Sequence, residues 1–294
     1  MSDAALSAVE TEITPAIKDL GDGFHVARAL PSAVRRSVGP FVFVDQFGPV
    51  RLAAGKGLDV RPHPHIGLAT VTYLMEGEIL HRDSLGNVQA IRPGAVNWMT
   101  AGSGIVHSER TPPELRDTVK SLYGLQIWVG LPRAEEERKP SFTHTPVAAL
   151  PGVEGEGNLA RVILGSLFGE RSPVETFGET VYADVTMSGN SRLTLPPGPA
   201  ERGLYLLEGI VRIDQQPFAS GRLIILRPGR AIDHSADGPA RLVFFGGEAL
   251  DGPRHLWWNF VSSSRERIAA AKADWRNGRF GRVPGETEFI PLPE

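Results

Sequence analysis

Leu68-Ala69-Thr70-Val71-Thr72-Tyr73-Leu74 is a run of apolar and β-branched residues, and Glu76-Gly77 follows it as a turn pair. A run of this length bounded by a turn reads as a buried strand. The residues around it extend the theme. Residues 78–82 pair back, and Asp83-Ser84-Leu85-Gly86-Asn87 makes a hairpin loop. Residues 88–91 lead through Arg92-Pro93-Gly94 into 95–100, and Ala101-Gly102-Ser103-Gly104 turns once more. Strand-like stretches at 23–29 and 39–45 come before this set, and the apolar stretch 122–129 closes it. Together they read as an antiparallel barrel or sandwich.

The bulk composition agrees. The chain has 294 residues, room for two domains, with 41% hydrophobic and 22% charged residues. Its 33 glycines and 24 prolines are scattered between short apolar runs, the punctuation of many short strands. The net charge of −3 offers no basic footprint for nucleic acid. With no cysteine, disulfides, thiolate metal sites and cysteine nucleophiles are all excluded, and a reducing cytoplasm is the expected compartment. Residues 1–12 are acidic and lack the apolar core of a secretory signal. No apolar run approaches the roughly 20 residues of a membrane span.

The second half repeats the first. Tyr205-Leu206-Leu207-Glu208-Gly209 lies 132 residues (205 − 73) after Tyr73-Leu74-Met75-Glu76-Gly77, and Arg227-Pro228-Gly229 lies 135 (227 − 92) after Arg92-Pro93-Gly94. Two signals in the same order suggest duplication. Residues 1–20 read as a loose lead-in. The charged stretch from Arg133 to Lys139 reads as a solvated crossover. Near the end, Ser262-Ser263-Ser264 is a helix start; Ile268, Ala271 and Trp275 share one face, and Gly278 is a stop.

Two further segments carry chemistry: Arg61-Pro62-His63-Pro64-His65 and Ile105-Val106-His107-Ser108-Glu109. Each sets two ligand-type residues at i and i+2, which share one face of a strand. On neighbouring strands, His63, His65, His107 and Glu109 converge on one divalent cation. Imidazole plus carboxylate without thiolate suits iron, manganese, nickel, cobalt, copper or zinc. A single buried histidine is more often a satisfied core residue, and the prolines beside His63 and His65 equally suit a turn. The four residues taken together favour the metal. Among the others, His81 is expected at the surface or beside the site, and His234 as the relic of a lost ligand. His25, His144 and His255 are expected to be structural or exposed. Carrying His63 and His65 forward by 132 lands on Leu195 and Pro197, so the second repeat is expected to lack the site.

The order Gly57, His63-Pro64-His65, a Pro-Gly turn and His107 resembles the two motifs of the cupin superfamily. Gly39-Pro40-Phe41, Thr70-Val71-Thr72-Tyr73-Leu74, Trp98-Met99-Thr100-Ala101-Gly102, Gly104-Ile105-Val106-His107-Ser108-Glu109 and Leu125-Gln126-Ile127-Trp128-Val129 resemble the pirins within it. His255-Leu256-Trp257-Trp258-Asn259-Phe260-Val261 resembles the ending of bacterial pirin-like proteins. The resemblance implies an all-β chain of two tandem jelly-roll-like cupin barrels with a short C-terminal helix. The expected parts are a metal-binding barrel over 1–135, a crossover over 136–160, a degenerate barrel over 161–250 and a C-terminal segment over 251–294. It also implies one metal, usually iron, on His63, His65, His107 and Glu109. One departure stands out: Ile66-Gly67-Leu68-Ala69 replaces the usual Arg-Gly-Phe-Glu, so the surroundings of the ligands are more apolar.

Two functions follow from the resemblance. The first is a dioxygenase of the quercetin 2,3-dioxygenase type, with Glu109 as general base, taking an enolic or aromatic small molecule and O2. The alternative is a non-catalytic, iron-dependent redox sensor that binds a protein partner. Neither nucleic acid nor membrane is expected as a partner.

Overall fold

The computed structural model describes residues 7–19 and 24–294. Residues 1–6 and 20–23 lie outside it, so the lead-in read over 1–20 is seen only in part. The described residues are mostly strand, with one α-helix, α1 (Arg265–Arg276). No helix among them is long and apolar enough to cross a membrane. The chain divides into two compact units. One comprises the described residues within Lys18–Val26, Phe43–Val147 and Leu250–Glu294. The other comprises those within Met1–Ile17, Ala27–Val42 and Ala148–Ala249.

The first of these units is built of two antiparallel sheets, as a cupin barrel is expected to be. In its larger sheet the strands run Ser141–Thr145, Val96–Thr100, Leu68–Glu76, Lys120–Gly130 and Phe41–Leu52 in spatial order. Leu68–Glu76 sits near the middle, and every residue but Glu76 is buried. That accounts for its unbroken apolar run: a strand covered on both faces has no polar alternation. Leu68, Val71, Tyr73 and Leu74 are fully enclosed, each contributing about 1.5–3 kcal/mol of apolar burial. The smaller sheet runs Asp59–His65, Ile105–Arg110, Ile79–Asp83, Val88–Ile91.

The other unit repeats this plan. Its smaller sheet runs Arg192–Leu195, Ile232–Ala236, Ile210–Ile213, Gln216–Ala219, the same succession of strands along the chain. Its larger sheet carries Arg222–Leu226, Glu201–Glu208, Ala240–Gly247 and Thr180–Met187 at the centre. The interior is an apolar cluster of leucine, isoleucine, valine and phenylalanine.

Three readings change on contact with the structure. The lead-in contains a strand, Val9–Ile13, which pairs with Arg222–Leu226 and so completes the unit built on the second repeat. The crossover contains an edge strand, Ser141–Thr145, paired with Val96–Thr100; its polar residues, half of them at the surface, hide the period-two signal. Glu136, read as part of a solvated run, is buried. Its carboxylate accepts from the Ser263 amide at 2.9 Å and from both serine hydroxyls, and it pairs with Arg254. The expected helix is present. The Ser264 hydroxyl caps it by accepting from the Arg267 amide, Ile268 and Ala271 are buried, and Gly278 follows with a φ of +65°.

Candidate metal centre

The prolines beside His63 and His65 do not make a turn. Asp59–His65 is an edge strand, where a missing N–H costs no ladder bond. It pairs antiparallel with Ile105–Arg110, setting His107 opposite His63 and Ile105 opposite His65. The register then shifts: two residues from His107 to Glu109 are matched by three from His63 to Val60. Such a bulge re-aims side chains next to a site.

His63, His65 and His107 are all buried, and one ring nitrogen of each lies within 4.8 Å of the others. Their ring centroids are 4.4–5.0 Å apart. The other nitrogens are occupied. His63 Nδ1 lies 2.9 Å from the Arg61 carbonyl, and His65 Nδ1 lies 3.1 Å from the Asn259 carbonyl. A carbonyl only accepts, so both rings carry the proton on Nδ1 and turn the Nε2 lone pair into the cluster. His65 Nε2 and His107 Nε2 are 3.1 Å apart. Two ligands at right angles, each ~2.1 Å from one metal, would be about 3 Å apart, so the donors fit a divalent cation.

The electrostatics agree. Burial lowers the pKa of His63 to about 4, and burial, reinforced by the neighbouring imidazoles, holds His65 and His107 well below the usual histidine range. At neutral pH all three are uncharged, the state a metal requires.

Glu109 is buried on the His107 strand but does not belong to the three-residue group. Its Oε1 accepts from the Thr72 hydroxyl at 3.1 Å, and that hydroxyl also touches Gln126. Burial raises the Glu109 pKa, partly offset by His81 and Thr72.

Two residues next to the site carried little signal in the sequence. His81, expected at the surface or beside the site, is buried, with its Nδ1 3.4 Å from His107 Nδ1. Asp83, read only as a hairpin residue, is fully buried and lies 3.1 Å from His81 Nε2. Burial opposes its charge, but hydrogen bonds from His81 and Asn87 outweigh that and lower its pKa. A histidine and an aspartate two residues apart on a strand, beside a predicted ligand strand, were the available clue. Trp128 also borders the cluster: its ring meets His65 in a T-shaped contact at 5.2 Å and stacks on Phe43 at 4.0 Å.

The second barrel lacks the histidine cluster. Its matching strands place Leu193 opposite His234 and Leu195 opposite Ile232. By this register the counterparts of His63 and His65 are Leu193 and Leu195. The offset of 132, which pointed to Leu195 and Pro197, is therefore two residues too long here, because the connecting loops differ in length. His234 stands in the place of His107, and Ala236 in the place of Glu109.

Comparison with known proteins bears on both barrels. The Pirin family model matches residues 23–129, and the Pirin C-terminal cupin domain model matches residues 182–281. A pirin-like protein of Caulobacter vibrioides is 46% identical over 282 residues, covering 94% of this chain and 96% of its own. The pirin of Rattus norvegicus is 31% identical, covering 89% of each. A crystal structure of quercetin 2,3-dioxygenase from Acinetobacter baumannii superposes with a TM-score of 0.90 at 35% identity, covering 97% of this chain and 95% of that one.

Proposed function

Because the chain belongs to the pirin family, we propose that it is a metal-dependent dioxygenase of the quercetin 2,3-dioxygenase type, acting on an enolic or aromatic small molecule and O2. The observation that carries this reading is the cluster of three neutral, buried imidazoles with their Nε2 atoms turned inward. The name of the Acinetobacter baumannii neighbour supports the reaction type.

In this reading His63, His65 and His107 hold the cation, with Glu109 as the fourth ligand. Iron stands first, with manganese, nickel, cobalt, copper and zinc as alternatives. A bound divalent cation supplies a Lewis acid that acidifies an enolic hydroxyl, and coordination positions for substrate and dioxygen. The chain itself handles the proton. Glu109 takes it at Oε2, since Oε1 is held by the Thr72 hydroxyl. Trp128 offers an aromatic edge beside His65 for a planar substrate. The place of work is the cytoplasm.

The test is oxygen consumption by protein loaded separately with iron, manganese, nickel, cobalt and copper, against a panel of flavonols and catechols. At least one pairing consumes O2 in proportion to substrate lost, and Glu109→Gln abolishes it. Uptake at the buffer rate for every pairing rejects the reading.

One observation favours a second reading, a redox-sensing binding protein. The Asn259 carbonyl holds His65 directly, so the hairpin His255–Ser262 is tied to a ligand. Oxidation-dependent capture of a protein partner without turnover would support it.

A further inference from the structure

From the geometry around His107 we propose that His81 and Asp83 are positioning residues for the metal centre, acting as a two-step relay that fixes the ring angle of His107 and accepts its Nδ1 proton when the cation is bound. The inference rests on the reading of His107 as a ligand, but not on any particular reaction.

His63 and His65 each have a main-chain carbonyl to hold the Nδ1 proton. His107 has none. Its Nδ1 faces another imidazole nitrogen, His81 Nδ1, at 3.4 Å. Two ring nitrogens bond to each other only if one is protonated and the other is not. The His81 Nε2 lies 3.1 Å from Asp83 Oδ2, and a carboxylate only accepts, so Nε2 carries a proton. A cation on the His107 Nε2 lone pair leaves the His107 proton on Nδ1, and the His81 Nδ1 that faces it is then the acceptor. A carboxylate behind a metal-binding histidine is a general way to orient the ring and raise its basicity; here a second imidazole is interposed.

Both relay residues are themselves anchored. Asp83 Oδ1 accepts from the Leu85 amide at 2.9 Å and the Asn87 amide at 3.1 Å, and Oδ2 accepts from the Asn87 side chain at 2.8 Å. The hairpin loop thus serves as a socket for one carboxylate. The His81 ring stacks on Phe142 at 4.4 Å with planes 16° apart, which sets its tilt.

The second barrel supplies independent support. His107 pairs with Asp83 across the sheet, and Glu109 with His81. In the second barrel His234 pairs with Ile213, and Ala236 with Val211. The relay has been replaced by isoleucine and valine in the barrel where leucines replace the ligands. The surviving imidazole of His234 is buried, and among the described residues neither of its nitrogens has a side-chain hydrogen-bond partner. A buried histidine in this position does not require the relay in order to pack. The relay accompanies the ligands.

The test uses the full chain with His81→Phe, which keeps the stacking on Phe142, and with Asp83→Asn, which keeps the size of the carboxylate. ¹⁵N–¹H NMR of the Zn²⁺-loaded protein reads the His107 Nδ1 proton, and chelator competition reads Ni²⁺ affinity. In the native protein this proton gives a downfield, hydrogen-bonded resonance. In both variants the resonance moves upfield or is lost to exchange with water, and Ni²⁺ binds roughly 10–100-fold more weakly, the range typical for loss of such a partner. Should His81→Phe fail to fold, Asp83→Asn carries the same two readouts. An unchanged His107 Nδ1 resonance in a folded variant overturns the relay, whether or not affinity falls. So does Ni²⁺ affinity within twofold of native. Native protein that binds Ni²⁺ but consumes no oxygen counts against the dioxygenase reading alone.

Discussion

His234 is the residue whose chemistry is most at odds with its surroundings. It lies within an interior of leucine, isoleucine and valine, and burial pushes its pKa down to about 4 from the 6.5 of a free side chain. The unfolded chain therefore takes up a proton at a pH where the folded chain does not. Its contribution is neutral above about pH 6.5, and stability is lost as the pH falls from there toward 4. A gap of this size amounts to about 3 kcal/mol at full extent. His234→Leu should remove that loss. All five tryptophans belong to the other unit, so the measurement is urea unfolding followed by tyrosine absorbance and circular dichroism at pH 7 and pH 4.5. The variant should be at least as stable as the native chain at pH 7 and clearly more stable at pH 4.5. An equal pH dependence in the two proteins would contradict this account.

Among the elements, the turn between the histidine strand Asp59–His65 and Leu68–Glu76 is the tightest constraint on the site. Gly67 has a φ of +67°, and a Cβ there would run into the Val261 carbonyl oxygen. The close approach matters because Ile66 bridges to Phe260 in the short strand Phe260–Ser262, and the preceding Asn259 holds His65. Gly67→Ala therefore strains the turn and pushes the hairpin away from a ligand. The left-handed conformation alone costs about 1–2 kcal/mol, and the clash adds to it. The melting temperature should fall by several degrees, and metal affinity should fall with it. A variant with native melting and native affinity would show that the hairpin can shift without consequence. The C-terminal tail braces the same strand from its free edge, the Ile290 amide donating to the Pro62 carbonyl at 2.8 Å. Glu286 accepts from Ser108 and from Arg110, which alternate along their strand with His107 and Glu109. Covering an edge strand in this way also blocks its pairing with other chains.

For the whole molecule, two barrels of one plan have different interiors, one with three clustered histidines and the other an apolar cluster beside which His234 is buried alone. Because a ligand that binds only the folded state adds stability, a metal at about 100 times its Kd contributes about 2.7 kcal/mol, and that gain goes to one barrel. Chelation should lower the midpoint followed by tryptophan fluorescence, since Trp98, Trp128, Trp257, Trp258 and Trp275 all lie in the unit with the three-histidine cluster. The circular-dichroism component from the other unit should stay where it was. Equal shifts in both signals would mean that the metal is shared or that the units unfold together.

Much of this was readable beforehand, because it rests on short-range regularities. Period-two spacing placed His63 with His65 and His107 with Glu109, turn residues marked the hairpins, and repeated Glu-Gly and Arg-Pro-Gly signals exposed the duplication. What the chain alone could not supply came from partners distant along it. Val9–Ile13 reaches a strand more than 200 residues away, Glu136 is buried by serines from the C-terminal hairpin, and the counterparts of the ligands depend on sheet register rather than on a constant offset. The relay belongs with these. That His81 faces His107 and not solvent follows from the order of strands in the smaller sheet, and strand order is settled by which faces bury together, not by any residue's own preference.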